Sequence, residues 1–253
     1  MTPPVINYWL EHEMIKIYGK NCVYAAIFNH AKMDVYVEDN QVNKDKIILS
    51  LLQVKGYKAN ILSKNEMDKK FGNSHQGFGA IREDYPIYDE SILNDFKVEE
   101  GRVLVLDGIQ DPHNLGAILR SVDAFGFDLV VLPKNRSASI NEVSAHVSTG
   151  AIEYVKIVYV NSLLTAINKL KENGFWICGT DAKGTTLATD IDPKLSLAVI
   201  IGSEGFGMSK TLVKASDYLI TIPMVGHVNS LNASVSTGIV LKDLCKRKWI
   251  QQN

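Results

Sequence analysis

Arg102-Val-Leu-Val-Leu-Asp107-Gly-Ile-Gln-Asp-Pro-His-Asn114-Leu-Gly116-Ala-Ile-Leu-Arg120-Ser-Val-Asp-Ala-Phe-Gly126 is the stretch that decides the fold class. Its first part is a continuous apolar run of strand length, the pattern of a strand buried on both faces. After a polar, glycine-containing loop, Leu115, Ile118, Leu119 and Val122 recur at helical spacing over Leu115 to Phe125. Gly126 stands where a C-terminal helix cap belongs. A buried strand, a loop and an amphipathic helix in this order form one unit of a parallel α/β fold.

The chain repeats that unit downstream. Asp128 to Leu132, Phe175 to Thr180, Leu195 to Ile201 and Tyr218 to Ile222 read as further strands. Helices are expected from about Ser162 to Glu172 and from Ala233 to Lys246. The region 101–253 is therefore expected to be a mainly parallel sheet covered on both faces. Upstream, Asn21 to His30 and Lys44 to Lys55 read as helices, with Met33 to Val37, Tyr57 to Leu62 and Phe78 to Arg82 as strands. Ser63-Lys-Asn-Glu66 matches a capping box, and Gly72 can end the helix it opens. Residues 1–84 thus form a small α/β domain, and the acidic, aperiodic stretch 85–100 with Pro86 reads as a linker.

Composition narrows the class. With 46% hydrophobic and 22% charged residues, the 253-residue chain has the balance of a soluble globular protein. No apolar run is long enough to cross a bilayer. The stretch to Lys20, with Glu11, Glu13, Lys16 and Lys20, lacks the apolar core of a secretory signal. Early acidic residues, and no arginine before Arg82, also argue against a mitochondrial leader, so a cytoplasmic location is expected. Cys22, Cys178 and Cys245 form no CxxC pair and the six histidines show no ligand spacing, so no metal site is expected. The net charge of −1 counts mildly against a nucleic-acid partner, although local basic patches can supply phosphate contacts.

Three glycine-rich segments follow strand ends in the second region, where open α/β sheets bind ligands. The first runs from Asp107 to Arg120, with Asn114 placed to cap the helix. The second is Ile200-Ile-Gly202-Ser-Glu204-Gly205-Phe-Gly207-Met; its GxxGxG spacing is neither the dinucleotide GxGxxG nor a P-loop. The third is Ile222-Pro-Met-Val-Gly-His-Val-Asn-Ser230-Leu231-Asn232-Ala-Ser, in which Ser230 or Asn232 can cap the last helix. Taken singly, each segment reads first as a capped helix or a turn.

As a set, their order and spacing resemble the three signature motifs of the SpoU (TrmH-like) RNA ribose methyltransferases. Asp111-Pro112, Asn114, Gly116, Arg120 and Phe125-Gly126 carry the first motif, and Gly202-Ser-Glu204-Gly205 with Gly207 the second. Ile222-Pro-Met and Ser230-Leu-Asn232 carry the third, and Ser148-Thr-Gly150-Ala151 resembles a further family turn. In the first region Ile17-Tyr-Gly19 and His75-Gln-Gly77 resemble short signatures of the branch acting on ribosomal RNA.

The resemblance implies a deep trefoil knot in the C-terminal domain, an RNA-binding N-terminal domain and a homodimer whose site is completed across the interface. It implies S-adenosyl-L-methionine as cofactor, contacted by Gly202, Ile222 and Leu231, and a polar catalytic cluster of Asn114, Arg120, Glu204, Ser230 and Asn232. The reaction implied is methylation of a ribose 2′-hydroxyl, with a guanosine of 23S ribosomal RNA as the substrate this branch favours. Two rival readings keep the same fold: a transfer-RNA ribose methyltransferase, and a catalytically silent RNA-binding assembly factor.

Overall fold

Hydrophobic patterning divides the chain into two units, each with its own sheet, in a computed structural model that describes residues 14–246 apart from 84, 204 and 229. The first contains β1 (Ile15–Tyr18), α1 (Lys20–Phe28), β2 (Met33–Glu38), α2 (Lys46–Val54), β3 (Ala59–Leu62), α3 (Lys64–Phe71) and β4 (Phe78–Arg82). Its sheet has the order β1-β4-β2-β3, with β4 antiparallel to both neighbours and β2 parallel to β3. Ile17, Val23, Ile27, Val35, Val37, Ile48 and Phe78 are buried in its core. The expected capping box forms: the Ser63 N–H donates to Glu66 Oε2 at 2.8 Å. β1 is an addition to the elements read from sequence.

The second unit contains β5 (Arg102–Asp107), α4 (Pro112–Ala124) and β6 (Leu129–Pro133); then, beyond α5 (Glu142–Val147), β7 (Ile157–Val160), α6 (Leu163–Glu172), β8 (Trp176–Thr180) and β9 (Thr186–Leu187). β10 (Leu197–Gly202), α7 (Lys210–Ala215), β11 (Tyr218–Thr221) and α8 (Ala233–Leu244) complete it. All seven strands are parallel, in the order β7-β6-β5-β10-β8-β11-β9. Residues 103–106 of β5 are fully buried, as the unbroken apolar run requires. Leu115, Ile118, Leu119 and Val122 form the buried stripe of α4, and Gly126 ends it at φ +67°. Among the described residues no helix is long and apolar enough to cross a membrane.

Two boundaries differ from the sequence reading. Residues 86–100 belong to the second unit: Leu93 and Phe96 are buried in its core, and the Tyr88 N–H donates to the Ile157 carbonyl at 2.9 Å. Ile140–Tyr154, between β6 and β7, packs with the first unit instead of the 101–253 region that contains it. Its apolar side chains find their core there. His146 stacks on Tyr18 with ring centroids 4.1 Å apart, and Glu153 forms a buried ion pair with Arg82, whose guanidinium lies over the Tyr85 ring. Gly150, at φ +93°, lies so close to α1 that a Cβ would stand 2.9 Å from the Asn21 carbonyl oxygen. The Ser148–Ala151 turn therefore has a packing role.

Arg102 is fully buried at the start of β5. Its guanidinium donates to the carbonyls of Leu244 and Leu195 at 2.6 Å, Pro193 at 2.7 Å, Glu100 at 3.0 Å and Gly101 at 3.1 Å. One planar fork thus ties the end of α8 to the start of the sheet.

Burial pushes the Cys22 thiol up to about 11 and the Cys178 thiol up to about 12, whereas Cys245 is partly exposed. Raised values keep the two buried groups as unreactive thiols below pH 9. At pH 8 an aromatic disulfide reagent is expected to modify one cysteine per native chain, and none in a Cys245→Ser variant. Rapid modification of two or three would contradict this burial.

Candidate functional site

The three glycine-rich segments meet at the carboxyl ends of the parallel strands. β5 and β10 are paired so that Asp107 lies beside Gly202, and each strand ends there. β10 and β11 flank β8, so the loops leaving Gly202 and Thr221 bracket the end of β8. Gly202, Ile222 and Leu231 are each half-buried around this end of the sheet.

Asn114 was expected to cap α4, and the structure corrects this. Asp111 is the N-cap: its Oδ1 accepts the His113 N–H at 2.9 Å, and Pro112 occupies the first helical position, where a missing N–H costs nothing. Asn114 therefore sits within the first turn, and its side chain turns to α8. The Asn232 Nδ2 donates to Asn114 Oδ1 at 3.0 Å. Asn232 also caps α8: its Oδ1 accepts from the Ser234 N–H at 2.9 Å, the Val235 N–H at 3.3 Å and the Ser234 hydroxyl at 2.6 Å. Since that oxygen must face the helix amides, the Nδ2 must face Asn114, which fixes the sense of the pair. First and third motifs, 118 residues apart, thus share one hydrogen bond.

The other expected catalytic residues are placed differently. Arg120 is exposed on α4 and, among the described residues, makes no hydrogen bond or ion pair. Six positions separate it from Asn114, so it projects from another side of the helix. Ser230 is exposed on the loop before α8. Glu204 lies outside the described residues. The structure thus joins Asn114 and Asn232 but does not join Arg120 or Ser230 to them.

Gly202 has a purely steric reason to be glycine. A Cβ there would lie 2.2 Å from the Gly207 carbonyl carbon and 2.3 Å from the Met208 nitrogen. The chain returns across Gly202 because Ser203 and Gly207 exchange backbone hydrogen bonds of 3.1 and 2.9 Å. Gly202→Ala is accordingly expected to open this return at a cost of about 1–3 kcal/mol, because backbone rather than a yielding side chain would have to move. Thermal unfolding checks this; an unaltered melting temperature would contradict the close return.

The signatures of the first unit also converge. The Gly19 N–H donates to the Phe78 carbonyl at 3.0 Å, and the Lys20 N–H at the head of α1 donates to Gln76 Oε1 at 3.1 Å. His75 is buried; its Nδ1 accepts the Gly77 N–H at 2.8 Å, so its Nε2 carries the proton shared with Asp68 at 2.9 Å. This holds Gln76 at φ +53°, the geometry from which it reaches α1. Among the described residues no group of three or more His, Cys, Asp or Glu side chains could hold a metal ion.

Comparison with known proteins gives two family matches. Residues 101–242 match the SpoU rRNA methylase family, and residues 16–88 match the model described as RNA 2′-O ribose methyltransferase substrate binding. A Staphylococcus aureus protein named as a TrmH family tRNA/rRNA methyltransferase is 39% identical over 237 residues, covering 92% of this chain and 96% of its own. The AdoMet complex of the SpoU methyltransferase AviRb from Streptomyces viridochromogenes superposes with a TM-score of 0.76. It shares 20% identity and covers 91% of this chain and 89% of that one. The A. aeolicus TrmH/SpoU tRNA modifying enzyme gives a TM-score of 0.52 at 28% identity, covering 61% of this chain and 78% of its own.

Proposed function

Because the chain belongs to the SpoU rRNA methylase family, we propose that it transfers a methyl group from S-adenosyl-L-methionine to a ribose 2′-hydroxyl, with a guanosine of 23S ribosomal RNA as target. The observation that carries this reading is the Asn232–Asn114 hydrogen bond, which brings two family motifs to the carboxyl end of the sheet. A match to a substrate-binding family over 16–88, against 61% coverage by a transfer-RNA enzyme, favours ribosomal over transfer RNA. The family's trefoil knot and a cytoplasmic site of action belong to the same reading.

Gly202, Ile222 and Leu231 would hold the cofactor. They fit it in kind: half-buried apolar side chains and backbone groups at strand ends suit an adenine edge, which needs no charged partner. When bound, the cofactor supplies a methyl group already activated on a sulfonium. The chain's own residues then align the reacting groups. Asn232 sets the amide plane of Asn114, and Ser230 adds a hydroxyl on the adjoining loop. Arg120 grips the target phosphate and hydroxyl, with Glu204 orienting its guanidinium. Arginine remains protonated in proteins, so the 2′-hydroxyl proton passes to phosphate or solvent.

The exposure of Arg120 fits a site completed by a second copy. Val235 and Ile239, one turn apart on α8, are 51% and 38% exposed, an apolar stripe suited to a two-fold contact. Sedimentation equilibrium is expected to give a dimer at micromolar concentration; monomer alone would contradict it. The substrate is tested by mass-spectrometric mapping of ribose methylation in RNA from a deletion strain. One 23S guanosine should lose its methyl group. A loss confined to transfer RNA would favour that rival, and no loss in any RNA would favour a silent assembly factor.

A further inference from the structure

The strongest feature outside the family cluster is a fastening between the first and second motifs. Asp107 is the last residue of β5 and lies beside Gly202, the last of β10. Its Oδ2 accepts the Ser209 N–H at 2.8 Å, across 102 residues of sequence. Ser209 is the N-cap of α7, so the carboxylate of Asp107 fixes the residue from which that helix starts. Gly108 turns the chain away at φ +84°; a Cβ there would lie 3.2 Å from Ser203 Cβ. The loop that follows Gly202 is thus held at two points: Ser203 to Gly207 by backbone pairing, and Ser209 to Asp107 by a carboxylate. Between the two points Met208 is buried in the core, while Phe206 at the loop's tip is 95% exposed.

We propose that Asp107 is a positioning residue, whose carboxylate fixes the Ser209 end of the loop that follows Gly202 and so positions that loop for cofactor binding. The proposal rests on reading that loop as cofactor-binding. A carboxylate suits the task because a charge-assisted bond to a backbone amide is about twice as strong as a neutral one. Gly202 cannot anchor the loop, having no side chain, and the exposed 205–207 segment buries no apolar group of its own.

The test uses the full chain with Asp107→Ala and Asp107→Asn. Asp107→Ala is expected to weaken S-adenosyl-L-methionine binding by about tenfold to a hundredfold, the range for losing a hydrogen bond to a charged group. The cofactor KM should rise in step with the loss of affinity. Hydrogen exchange should accelerate in the 203–209 peptide and not in β5 or β10. Asp107→Asn keeps an acceptor for the Ser209 N–H and should retain most of the affinity and protection. Unchanged affinity and exchange in Asp107→Ala would overturn the proposal, as would an asparagine variant as impaired as alanine. If the alanine variant does not fold, the asparagine variant and its exchange decide. If the wild type binds no cofactor, the site reading fails, yet exchange in the ligand-free proteins still tests whether Asp107 fastens the loop.

Discussion

Arg120→Lys is expected to lower the single-turnover rate of methyl transfer by about a hundredfold or more, while leaving cofactor affinity nearly unchanged. Lysine keeps the positive charge but loses the planar, two-pronged donor that can hold a phosphate and a carboxylate together. Misplacing reacting groups by about 1 Å costs on the order of a hundredfold. Arg120 is exposed on α4 and makes no hydrogen bond or ion pair among the described residues, so a lost rate would not reflect unfolding. Single-turnover methylation of a ribosomal-RNA fragment, with cofactor titration, measures both quantities. A lysine variant at nearly full rate would make Arg120 an ordinary surface residue.

Arg102→Met should have the largest effect on stability. It removes five donated hydrogen bonds at once and leaves the buried carbonyl of Leu244 and the part-buried carbonyls of Leu195 and Pro193 without this partner. An unsatisfied buried acceptor costs about 1–3 kcal/mol, and neighbouring losses are not additive, so about 3–5 kcal/mol is expected in total. For a chain of this size that lowers the melting temperature by about 10 °C. Burial already pulls the guanidinium below its usual pKa, and it has no ion-pair partner among the described residues, so methionine also relieves a desolvated charge. That relief keeps the estimate below a simple sum. Arg102→Lys, with three donors, should lie between the two. Thermal unfolding of the three proteins checks the order; an unaltered melting temperature in Arg102→Met would contradict the clamp.

What the sequence made legible was local. The apolar run at 102–107, the stripe from Leu115 to Val122, Gly126 and the Ser63–Glu66 capping box each determine structure through neighbours within one or two turns, and all formed. The first turn of α4 was misread although its signal was present: Asp111-Pro112 is a stronger helix start than Asn114, because proline fits the first helical position and aspartate caps it. β1 escaped because four residues, Ile-Lys-Ile-Tyr, hold too little period to distinguish from a loop; pairing with β4, more than sixty residues away in the chain, makes them a strand. The membership of 140–154 in the first unit escaped for the same reason. His146 and Glu153 meet Tyr18 and Arg82 across long separations that no window of sequence contains.

At the site, the motifs named the residues but could not supply their pairing. Asn232 as a helix cap was legible from Asn-Ala-Ser before an apolar helix. Its second hydrogen bond to Asn114 was not, because it depends on α4 and α8 lying side by side. Gly202 was read as a backbone contact for the cofactor, and the first demand on it is the chain's own return at Gly207. Asp107 went unassigned because an aspartate closing a strand looks like any turn residue until Ser209 is seen beside it.

The central claim, methyl transfer to a ribose hydroxyl, is tested most directly by incubating the purified protein with S-adenosyl-L-methionine labelled in its methyl group and unmethylated 23S RNA. The RNA is then digested to nucleosides. The account predicts label in one 2′-O-methylguanosine per RNA, lost in Arg120→Lys. Label recovered on a nucleobase, or no label in RNA despite cofactor binding, would contradict it.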